Sequence, residues 1–390
     1  MTMKRPVYLD HNATTPVRPE VLEAMLPFLR EEFGNPNSVH AAGQRARSAV
    51  ERAREQVAAL VGAQPPNVVF TAGGSEADNA ALAGAAQAAW NASGGKKRHV
   101  VVSAVEHEAV LGAARLLAAR GFEVSKVGVD AACRVDAAAV AAALRPETAV
   151  VSIMTANNEV GTLQPVAEIA ALCRARGVAF HTDAVQAAGK VPIDFDRLGA
   201  DLMALSGHKL NAPKGIGALV ARRGVPLVPL VAGNQEKNRR GGTENVAGIV
   251  AFGAAAELAA AELTAHAREL CALRDRLEAG VLALPGVRRT ASAAERLPGT
   301  CHFCCEGVDG HSLVVALDLE GICVSSGSAC SSGAVELSHV LEAMRVPEGW
   351  GKGALRVSLG LGSSASDVDR FLAVLPGCLE RLRAASGVRS

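Results

Sequence analysis

The sequence contains few aromatic residues and carries almost no net charge. Phe, Trp and Tyr make up 3% of its 390 residues, and 40 Lys and Arg stand against 39 Asp and Glu. Sparse aromatic rings argue against a platform on which nucleic-acid bases stack. A balanced charge likewise creates no field that would attract nucleic acid or an anionic membrane. We therefore expect a small molecule or another protein as the partner.

Long apolar runs and a disulfide framework are also lacking. The start, MTMKRPVYLD, has no apolar core of the kind found in secretory signals. The most apolar stretch, VAGIVAFGAAA at 246–256, is too short to span a membrane and predicts an interior helix. The nine cysteines are odd in number and mostly scattered. These absences predict a reduced, cytoplasmic protein that is not attached to a membrane.

Short β-branched segments alternate with alanine-rich helical segments over the first 220 residues. Helices are predicted from about Ser75, from about Glu108 and after Pro165. A charged, amphipathic stretch at 43–62 predicts a further, half-exposed helix. Strands connected by helical crossovers imply a mostly parallel sheet covered on both faces. The predicted strands are 68–70, 99–103, 149–154, 178–183, 201–206 and 216–222.

A second, smaller α+β domain is predicted in the last third of the chain. A long helix from about Val246 to Ala283 would lead into it, with strand candidates at 312–319 and 354–359. We expect a large domain over 16–257. The small domain would combine 1–15 with 258–390.

Five polar clusters fall at the ends of predicted strands: GGSEADN, SAVEH, TANNEVG, HTDAVQ and SGHK. In open α/β sheets, ligands bind beyond the carboxyl ends of the strands. Asp183 ends one strand, and a buried carboxylate is costly unless a cation faces it. Pyridoxal phosphate would supply that cation at its ring nitrogen, while Lys209 in SGHK would hold its aldehyde as a Schiff base. Lys209 alone is better explained as a surface lysine; the pair favours the cofactor.

A phosphate cradle is predicted at Gly73-Gly74-Ser75, between a strand and a helix. An ordinary glycine turn with Ser75 as the helix N-cap explains these three residues equally well. Ser206 and His208 would add donors. Thr243 would add another, although the RRGGT stretch that contains it is also typical of a charged surface turn.

Three further positions are candidates, each with a plainer alternative. His107 would stack on the cofactor ring and shuttle protons, or would face solvent in the first turn of a helix. The pair Asn157-Asn158 would donate to the ring oxygen or the substrate, or would form a turn. Arg356 would grip a substrate carboxylate, or would be a surface arginine on a strand edge.

Taken in order, the motifs resemble those of the pyridoxal-phosphate-dependent cysteine desulfurases of the NifS/IscS type, within the class V aminotransferases. The resemblance covers nearly the whole chain. It implies fold type I, as in aspartate aminotransferase, with a mainly parallel seven-stranded sheet and a smaller α+β domain. The motifs are YLDHNATTP, FGNPNSVH, GGSEADN, EHEAV, NNEVGT, HTDAVQAAGK, SGHKLNAPKGIG, RRGGTEN, SSGSACSSG and ALRVSLG.

The resemblance also implies site residues. Lys209 matches the Schiff-base lysine, Asp183 the partner of the ring nitrogen and Gln186 the residue at the phenolic oxygen. His107 matches the residue stacked on the ring. Asn158 matches a cofactor-site asparagine that also serves the substrate, and Arg356 matches the arginine that binds the substrate carboxylate. The phosphate-side positions are Gly74, Ser75, Ser206, Gly207 and His208, with Thr243 reaching a phosphate across a homodimer interface.

Cys330 matches the cysteine that receives sulfur from L-cysteine as a persulfide. Its surroundings, SSGSACSSG at 325–333, are almost entirely Ser, Gly and Ala. Such a loop has little packing to lose, so the thiol would reach the substrate and then an acceptor protein. The acceptor would be an iron–sulfur scaffold or another sulfur carrier; nitrogenase clusters, general cluster assembly and tRNA thiolation stay open. No resident metal is implied, although Cys330 would ligate a cluster transiently with a scaffold.

The sequence departs from the family pattern in a few places. Ala232 and Asn234 stand where relatives usually have Gly and then His or Gly. Ser75 stands where Thr is commoner, which keeps the hydroxyl, and LGSS follows ALRVSLG where a basic or aromatic residue and Thr are frequent. None of these changes removes a residue that the chemistry needs.

Two other functions compete with this interpretation. An aminotransferase or a selenocysteine lyase of the same fold would have a similar cofactor site, but an aminotransferase would not need Cys330. Alternatively, CHFCC at 301–305 would bind zinc or an iron–sulfur cluster. No matching second half of such a motif is nearby, so we predict a strand of small core residues instead.

Overall fold

The computed structural model describes residues 6–326 and 337–385. Its strands are β1 (Val7–Tyr8), β2 (Val68–Thr71), β3 (His99–Ser103), β4 (Glu123–Val127), β5 (Thr148–Ser152), β6 (Ala179–Asp183), β7 (Leu202–Ser206), β8 (Gly217–Ala221), β9 (Val287–Arg289), β10 (Thr300–Cys305), β11 (Ile322–Cys323) and β12 (Ala354–Ser358). Its helices are α1 (Pro19–Arg30), α2 (Ala41–Leu60), α3 (Gly74–Ala92), α4 (Glu108–Ala119), α5 (Ala137–Ala143), α6 (Val166–Ala175), α7 (Phe195–Leu198), α8 (Val246–Leu282), α9 (Gly310–Leu319), α10 (His339–Ala343), α11 (Glu348–Gly351) and α12 (Ala365–Ala385).

A seven-stranded sheet in the order β2-β8-β7-β6-β5-β3-β4 forms the centre of the larger part. Strand β8 is antiparallel to both of its neighbours, and the other pairs are parallel. Every residue of β3, β5, β7 and β8 is buried, because helices cover both faces of the sheet. The predicted mainly parallel, seven-stranded sheet is confirmed.

The six strands predicted for this sheet are all present, within one or two residues at each end. The seventh, β4, was missed. It lies at the edge of the sheet, and its sequence EVSKV is mostly exposed or partly exposed. An edge strand needs fewer apolar residues, so its pattern is weaker than that of a central strand.

The strand predicted at 312–319 is wrong, because this segment belongs to helix α9. Asp309 begins the helix by accepting a hydrogen bond from the backbone N–H of Ser312 at 2.7 Å. Leu313 and Leu317, four residues apart, face the core, whereas Leu319 is exposed. A short apolar run of this kind does not distinguish a helix from a strand by composition alone.

A second core surrounds two smaller sheets. One is antiparallel, in the order β12-β10-β9, and the other pairs β1 with β11 in parallel. Helix α8 joins the two cores: Phe252 packs in the first, and Leu277 and Val281 pack in the second. The predicted domain boundary at residue 257 falls within α8 and stays a prediction.

Helix α8 is long and apolar enough to cross a membrane by length and composition, which is weak evidence by itself. Most of 246–256 is buried within the protein, as predicted. Its neighbours there include α1 and α2.

The CHFCC segment forms strand β10, as predicted. Cys301 and Cys305 face the second core, together with Phe303. His302 lies on the opposite face, where its Nδ1 is 2.9 Å from Thr290 Oγ1. Because the strand divides these side chains between two faces, they do not converge on one metal ion.

Candidate active site

Adjacent strands bring Asp183 and Lys209 to the same side of the large sheet, the side at which the carboxyl ends of its parallel strands lie. Asp183 is the last residue of β6, and Lys209 ends a single helical turn, 207–209, that directly follows β7. Strands β6 and β7 are parallel neighbours, with Asp183 opposite Ala204. Parallel neighbours end at the same edge, so the predicted pair shares one site.

Asp183 is a buried carboxylate with little hydrogen bonding. Burial raises its pKa above the ordinary value, while the nearby charges of His107 and Lys209 and the N–H of Val185 lower it. The backbone N–H of Val185 donates to its Oδ1 at 2.8 Å. A protonated ring nitrogen would fit here, since it supplies the cation that a buried carboxylate needs.

Near Asp183 lie two buried residues, Asp78 and His181, to which the sequence analysis assigned no role. His181 lies two residues earlier on the same face of β6, and its Nε2 is 3.5 Å from Oδ1 of Asp78 on helix α3. Neither of these two atoms has a hydrogen-bond partner within the described part of the chain. Burial lowers the pKa of His181 to about 3, so the imidazole is neutral. It therefore does not provide the cation that Asp183 lacks.

Lys209 is held by two backbone carbonyls of the N-terminal segment. Its Nζ donates to the carbonyl oxygens of Asn12 at 2.5 Å and Ala13 at 2.6 Å. Burial, followed by the charge of Arg356, lowers the pKa of Lys209 to about 8. A useful fraction of the amine is therefore neutral near physiological pH, which a nucleophilic lysine requires.

Gln186 lies beside Lys209 and shares a partner with it. Its Nε2 donates to the carbonyl oxygen of Asn12 at 2.9 Å, and its Oε1 accepts from Nζ of Lys190 at 2.8 Å. Sequence reasoning assigned no role to Asn12 or Lys190, although both occur in quoted motifs. Their only signal was their position in YLDHNATTP and HTDAVQAAGK.

The N-terminus of helix α3 forms an open anion cradle. Gly73 is the N-cap, so the alternative in which Ser75 caps the helix is wrong. The first helical hydrogen bond runs from Ala77 to Gly73 at 3.1 Å, and no side chain of the described residues caps this end. The N–H groups of the first turn therefore point outward, where an anion is favoured.

Close packing explains why Gly74 begins that helix. A Cβ at Gly74 would lie 2.7 Å from Cγ2 of Val185 and 3.2 Å from Cβ of Ser206. The missing side chain lets the helix end approach the end of strand β7. Ser206, which is buried, and the exposed Ser75 therefore lie beside the same cradle.

The turn after β7 also depends on a glycine. A Cβ at Gly207 would lie 2.9 Å from Cγ2 of Ile216. The next residue, His208, places its Nδ1 3.1 Å from Oγ1 of Thr14. Burial, followed by the charge of Lys209, lowers the pKa of His208 to about 4, so its ring is neutral at physiological pH.

Thr243 is exposed, and its loop lies beside the cradle of the same subunit. Arg240 in this loop bonds Glu76 in the first turn of α3 at 2.8 Å. The predicted reach of Thr243 into a second subunit stays a prediction.

His107 is both a helix cap and an exposed ring. Its Nδ1 accepts the N–H of Ala109 at 3.1 Å at the start of α4. In the neutral ring this leaves the proton on Nε2. Burial has the largest influence on the pKa of Asp183, and the charge of His107 has the next largest. The His107 ring therefore lies near the predicted cofactor site.

The neighbouring asparagines differ in their contacts. Asn157 is buried, and its Oδ1 accepts the N–H groups of Glu159 and Val160, which is the turn-forming alternative. Asn158 instead presents its backbone carbonyl to Nδ2 of Asn12 at 3.2 Å and to Nη1 of Arg356 at 3.1 Å. Asn158 therefore joins the N-terminal segment to strand β12.

Arg356 on β12 is a buried residue, so the surface alternative is wrong. Its Nη2 bonds Oδ1 of Asp10 at 2.9 Å. Its Nε has no partner within residues 6–326 and 337–385. An arginine with an unused buried N–H beside Lys209 fits a carboxylate ligand, which would compete with Asp10.

Cys330 lies outside the described residues. Six of the described cysteines are buried, namely Cys133, Cys173, Cys301, Cys304, Cys305 and Cys378. Burial raises the pKa of each of these six thiols. A raised pKa disfavours the thiolate, so these six are poor nucleophiles.

Together, the polar groups at the carboxyl ends of β6 and β7 and at the start of α3 fit pyridoxal phosphate. The open end of α3 suits its phosphate, Asp183 suits its ring nitrogen and Lys209 suits its aldehyde. These features are the uncapped helix end, the buried carboxylate of Asp183 with no salt bridge to any described residue, and the amine of lowered pKa. They lie at one sheet edge.

Comparison with known proteins agrees with this geometry. The family model for class-V aminotransferases matches residues 7–371. The chain is 45% identical over 386 residues to cysteine desulfurase IscS of Dictyoglomus turgidum, covering 98% of this chain and 97% of that protein. It is 48% identical over 384 residues to a cysteine desulfurase of Gluconacetobacter diazotrophicus, covering 97% and 95%.

Solved structures give the same result. A NifS-like protein superposes with a TM-score of 0.89 at 36% identity, covering 97% of this chain and all of that one (100%). The structure of SspA in complex with cysteine superposes with a TM-score of 0.79 at 33% identity, covering 90% and 98%.

Proposed function

This chain belongs to the class-V aminotransferase family, and on that premise we propose that it is a pyridoxal-phosphate-dependent cysteine desulfurase. It converts L-cysteine to L-alanine and leaves the sulfur on Cys330 as a persulfide. One observation carries the proposal most directly. Asp183 and Lys209 meet beside an uncapped helix end, in a chain that is 45–48% identical to cysteine desulfurases.

When bound, the cofactor would withdraw electrons from the substrate Cα and so make the Cα proton acidic. Asp183 would keep its ring nitrogen protonated, and Gln186 would donate an N–H to its ring oxygen. His107 would pack against its ring. The first-turn N–H groups of α3 would bind its phosphate, together with Ser75, Ser206, His208 and, from a second subunit, Thr243.

Arg356 binds the substrate carboxylate. Nη2 of Arg356 bonds Oδ1 of Asp10 at 2.9 Å, and this N–H group would leave Asp10 to bind the substrate carboxylate. Asn158 supports this arginine through its backbone carbonyl. The substrate is thereby oriented with its Cα towards Lys209.

Lys209 removes the Cα proton in its neutral form. Its lowered pKa of about 8, caused mainly by burial, supports this role because the neutral amine is accessible near pH 7. The carbonyls of Asn12 and Ala13 hold the amine once it has accepted the proton. The Nε2–H of His107 is available to return a proton to the product.

The transfer of sulfur to Cys330 needs no external oxidant. The Cys330 thiolate attacks the substrate sulfur, so an S–S bond forms as the substrate C–S bond breaks. The electron pair of the C–S bond stays with the carbon, which takes up a proton and becomes the methyl group of alanine. The persulfide sulfur then passes to an acceptor protein, either an iron–sulfur scaffold or another carrier.

We also propose that the protein works as a cytoplasmic homodimer. Exposed apolar side chains after helix α1 support an interface: Phe33 is 85% exposed and Val39 is 90% exposed. Burial of these two side chains against a second copy of the chain would remove apolar surface from water. Thr243 lies on an exposed loop, as a residue reaching a second subunit must.

The test supplies L-cysteine to the purified protein, measures alanine, and locates the added sulfur by mass spectrometry. Cys330→Ala should lose alanine production while it keeps the absorbance of the bound cofactor. Cys323→Ala is the matched control, because Cys323 is only partly buried and lies on the preceding strand. Full activity of Cys330→Ala would refute the proposal and favour an aminotransferase. The relative turnover of cysteine and selenocysteine distinguishes a cysteine desulfurase from a selenocysteine lyase.

A further inference from the structure

Lys190 is a second lysine in the wall of the site, and the proposed reaction gives it no role. It is partly buried, and its Nζ lies 2.8 Å from Oε1 of Gln186 and 3.3 Å from Oδ1 of Asn12. Burial, followed by the charges of Lys209 and Arg356, lowers its pKa to about 7. Both the ammonium and the amine carry N–H groups, so its bond to Gln186 persists in either form.

The amide of Gln186 is fixed at both ends. Lys190 donates to its oxygen at 2.8 Å, and its nitrogen donates to the carbonyl of Asn12 at 2.9 Å. A flipped amide would place NH₂ against the Lys190 ammonium and its oxygen against the carbonyl of Asn12, which would lose both hydrogen bonds. Because an amide nitrogen carries two N–H groups, the fixed orientation leaves one of them uncommitted.

Asn12 connects this arrangement to Lys209. Its carbonyl oxygen accepts from Gln186 and also from Nζ of Lys209 at 2.5 Å. Its side chain lies between Lys190 and Thr300, to whose Oγ1 it donates at 3.0 Å. The two lysines and the glutamine therefore meet on one residue, whose position is fixed from both sides.

We propose that Lys190 is a positioning residue that locks the Gln186 amide, so that its free N–H faces the ring oxygen of the bound cofactor. The inference rests on the proposed function. An N–H at that oxygen favours its ionised form and so lowers the pH at which the bound chromophore loses its proton. Without Lys190 the amide oxygen loses this donor and the bond to Asn12 alone holds the amide, so it flips more readily, and a flipped amide would turn its oxygen towards the ionised ring oxygen and repel it.

The experiment titrates the absorbance of the bound cofactor against pH, with no substrate present. Lys190→Met keeps an unbranched apolar chain one atom shorter than lysine and removes the donor, so the midpoint should rise by about one pH unit. Lys352→Met is the control, because the side chain of Lys352 is exposed and bonds Glu348 at the surface. It should leave the midpoint unchanged. An unchanged midpoint in Lys190→Met would overturn the inference.

A double variant separates positioning from a direct effect of charge. If Lys190 acts through the amide, Lys190→Met should cause no further shift in a Gln186→Ala background. A second full shift in that background would overturn the inference. Lys190→Arg, which keeps N–H donors, should retain the wild-type midpoint.

Folding and the proposed function are checked separately. Thermal unfolding of the cofactor-free protein reports whether Lys190→Met folds. If it does not, Lys190→Gln replaces it, and this shorter donor should give a smaller upward shift; no shift would count against the inference. A wild-type protein that binds no chromophore would refute the proposed function as well. If the wild-type protein binds the cofactor and titrates, but Lys190→Met has the same midpoint, this inference alone is refuted.

Discussion

Replacing Gly74 with alanine should weaken cofactor binding without unfolding the protein. The new Cβ would lie 2.7 Å from Cγ2 of Val185 and 3.2 Å from Cβ of Ser206. Overpacking of this kind costs about 1–3 kcal/mol. The cradle would relieve the clash by moving the start of α3 away from β7, so its N–H groups would no longer converge on the phosphate. We expect roughly tenfold weaker binding, which corresponds to about 1.4 kcal/mol.

The assay adds pyridoxal phosphate to the cofactor-free protein and follows its absorbance as a function of concentration. Gly112→Ala is the matched control: it lies within helix α4, and the nearest atom of the described residues to its Cβ would be Nη2 of Arg115 at 3.6 Å. It should bind the cofactor normally and gain up to about 1 kcal/mol of stability. Adding Val185→Ala to Gly74→Ala removes the shorter contact and should restore part of the affinity. Wild-type affinity in Gly74→Ala would refute the assignment of the cradle.

Two further predictions concern charged groups of the site. Because burial lowers the pKa of Lys209 to about 8, roughly a tenth of the amine is neutral at pH 7 and roughly nine-tenths at pH 9. The rate at which the cofactor-free protein captures pyridoxal phosphate, followed by rapid-mixing absorbance, should therefore rise about tenfold between these values and then level off. A rate that keeps climbing above pH 9 would indicate an ordinary lysine. Arg356→Lys loses the paired N–H geometry, so KM for cysteine should rise about tenfold or more while the cofactor spectrum stays unchanged. An unchanged KM would exclude Arg356 as the carboxylate ligand.

The position of the site was predictable because it follows from strand order. Asp183 and Lys209 each follow an apolar strand in the sequence, and parallel neighbours end at the same edge. Burial of the central strands follows from their continuous apolar runs, so both the sheet and the position of the candidate site at its carboxyl end could be predicted locally. The resemblance added roles to these positions but was not needed to bring them together.

Other features depend on contacts between distant segments, which local patterns do not contain. Asn12 reaches Gln186 and Lys209 across 174 and 197 residues of sequence. Asp78 and His181 meet only because α3 packs on the sheet. Segment 312–319 was mistaken for a strand for a related reason: which of its side chains would be buried was decided by packing in the second core.

The distribution of unsatisfied polar atoms is the strongest structural argument that this edge is built for a ligand. Folded proteins seldom leave buried polar atoms without partners, and exceptions are frequent at functional sites. Six such atoms occur in the described residues: Asp78 Oδ1, Glu106 Oε2, His181 Nε2, Arg289 Nε, His302 Nε2 and Arg356 Nε. Asp78 and Glu106 both interact electrostatically with Asp183, and His302 pairs with Arg356 across strands β10 and β12. All but Arg289 therefore belong to, or directly adjoin, the groups assigned to the cofactor and the substrate. Bound ligands that pair with Asp183 and Arg356 would place charges of opposite sign beside this group of buried atoms.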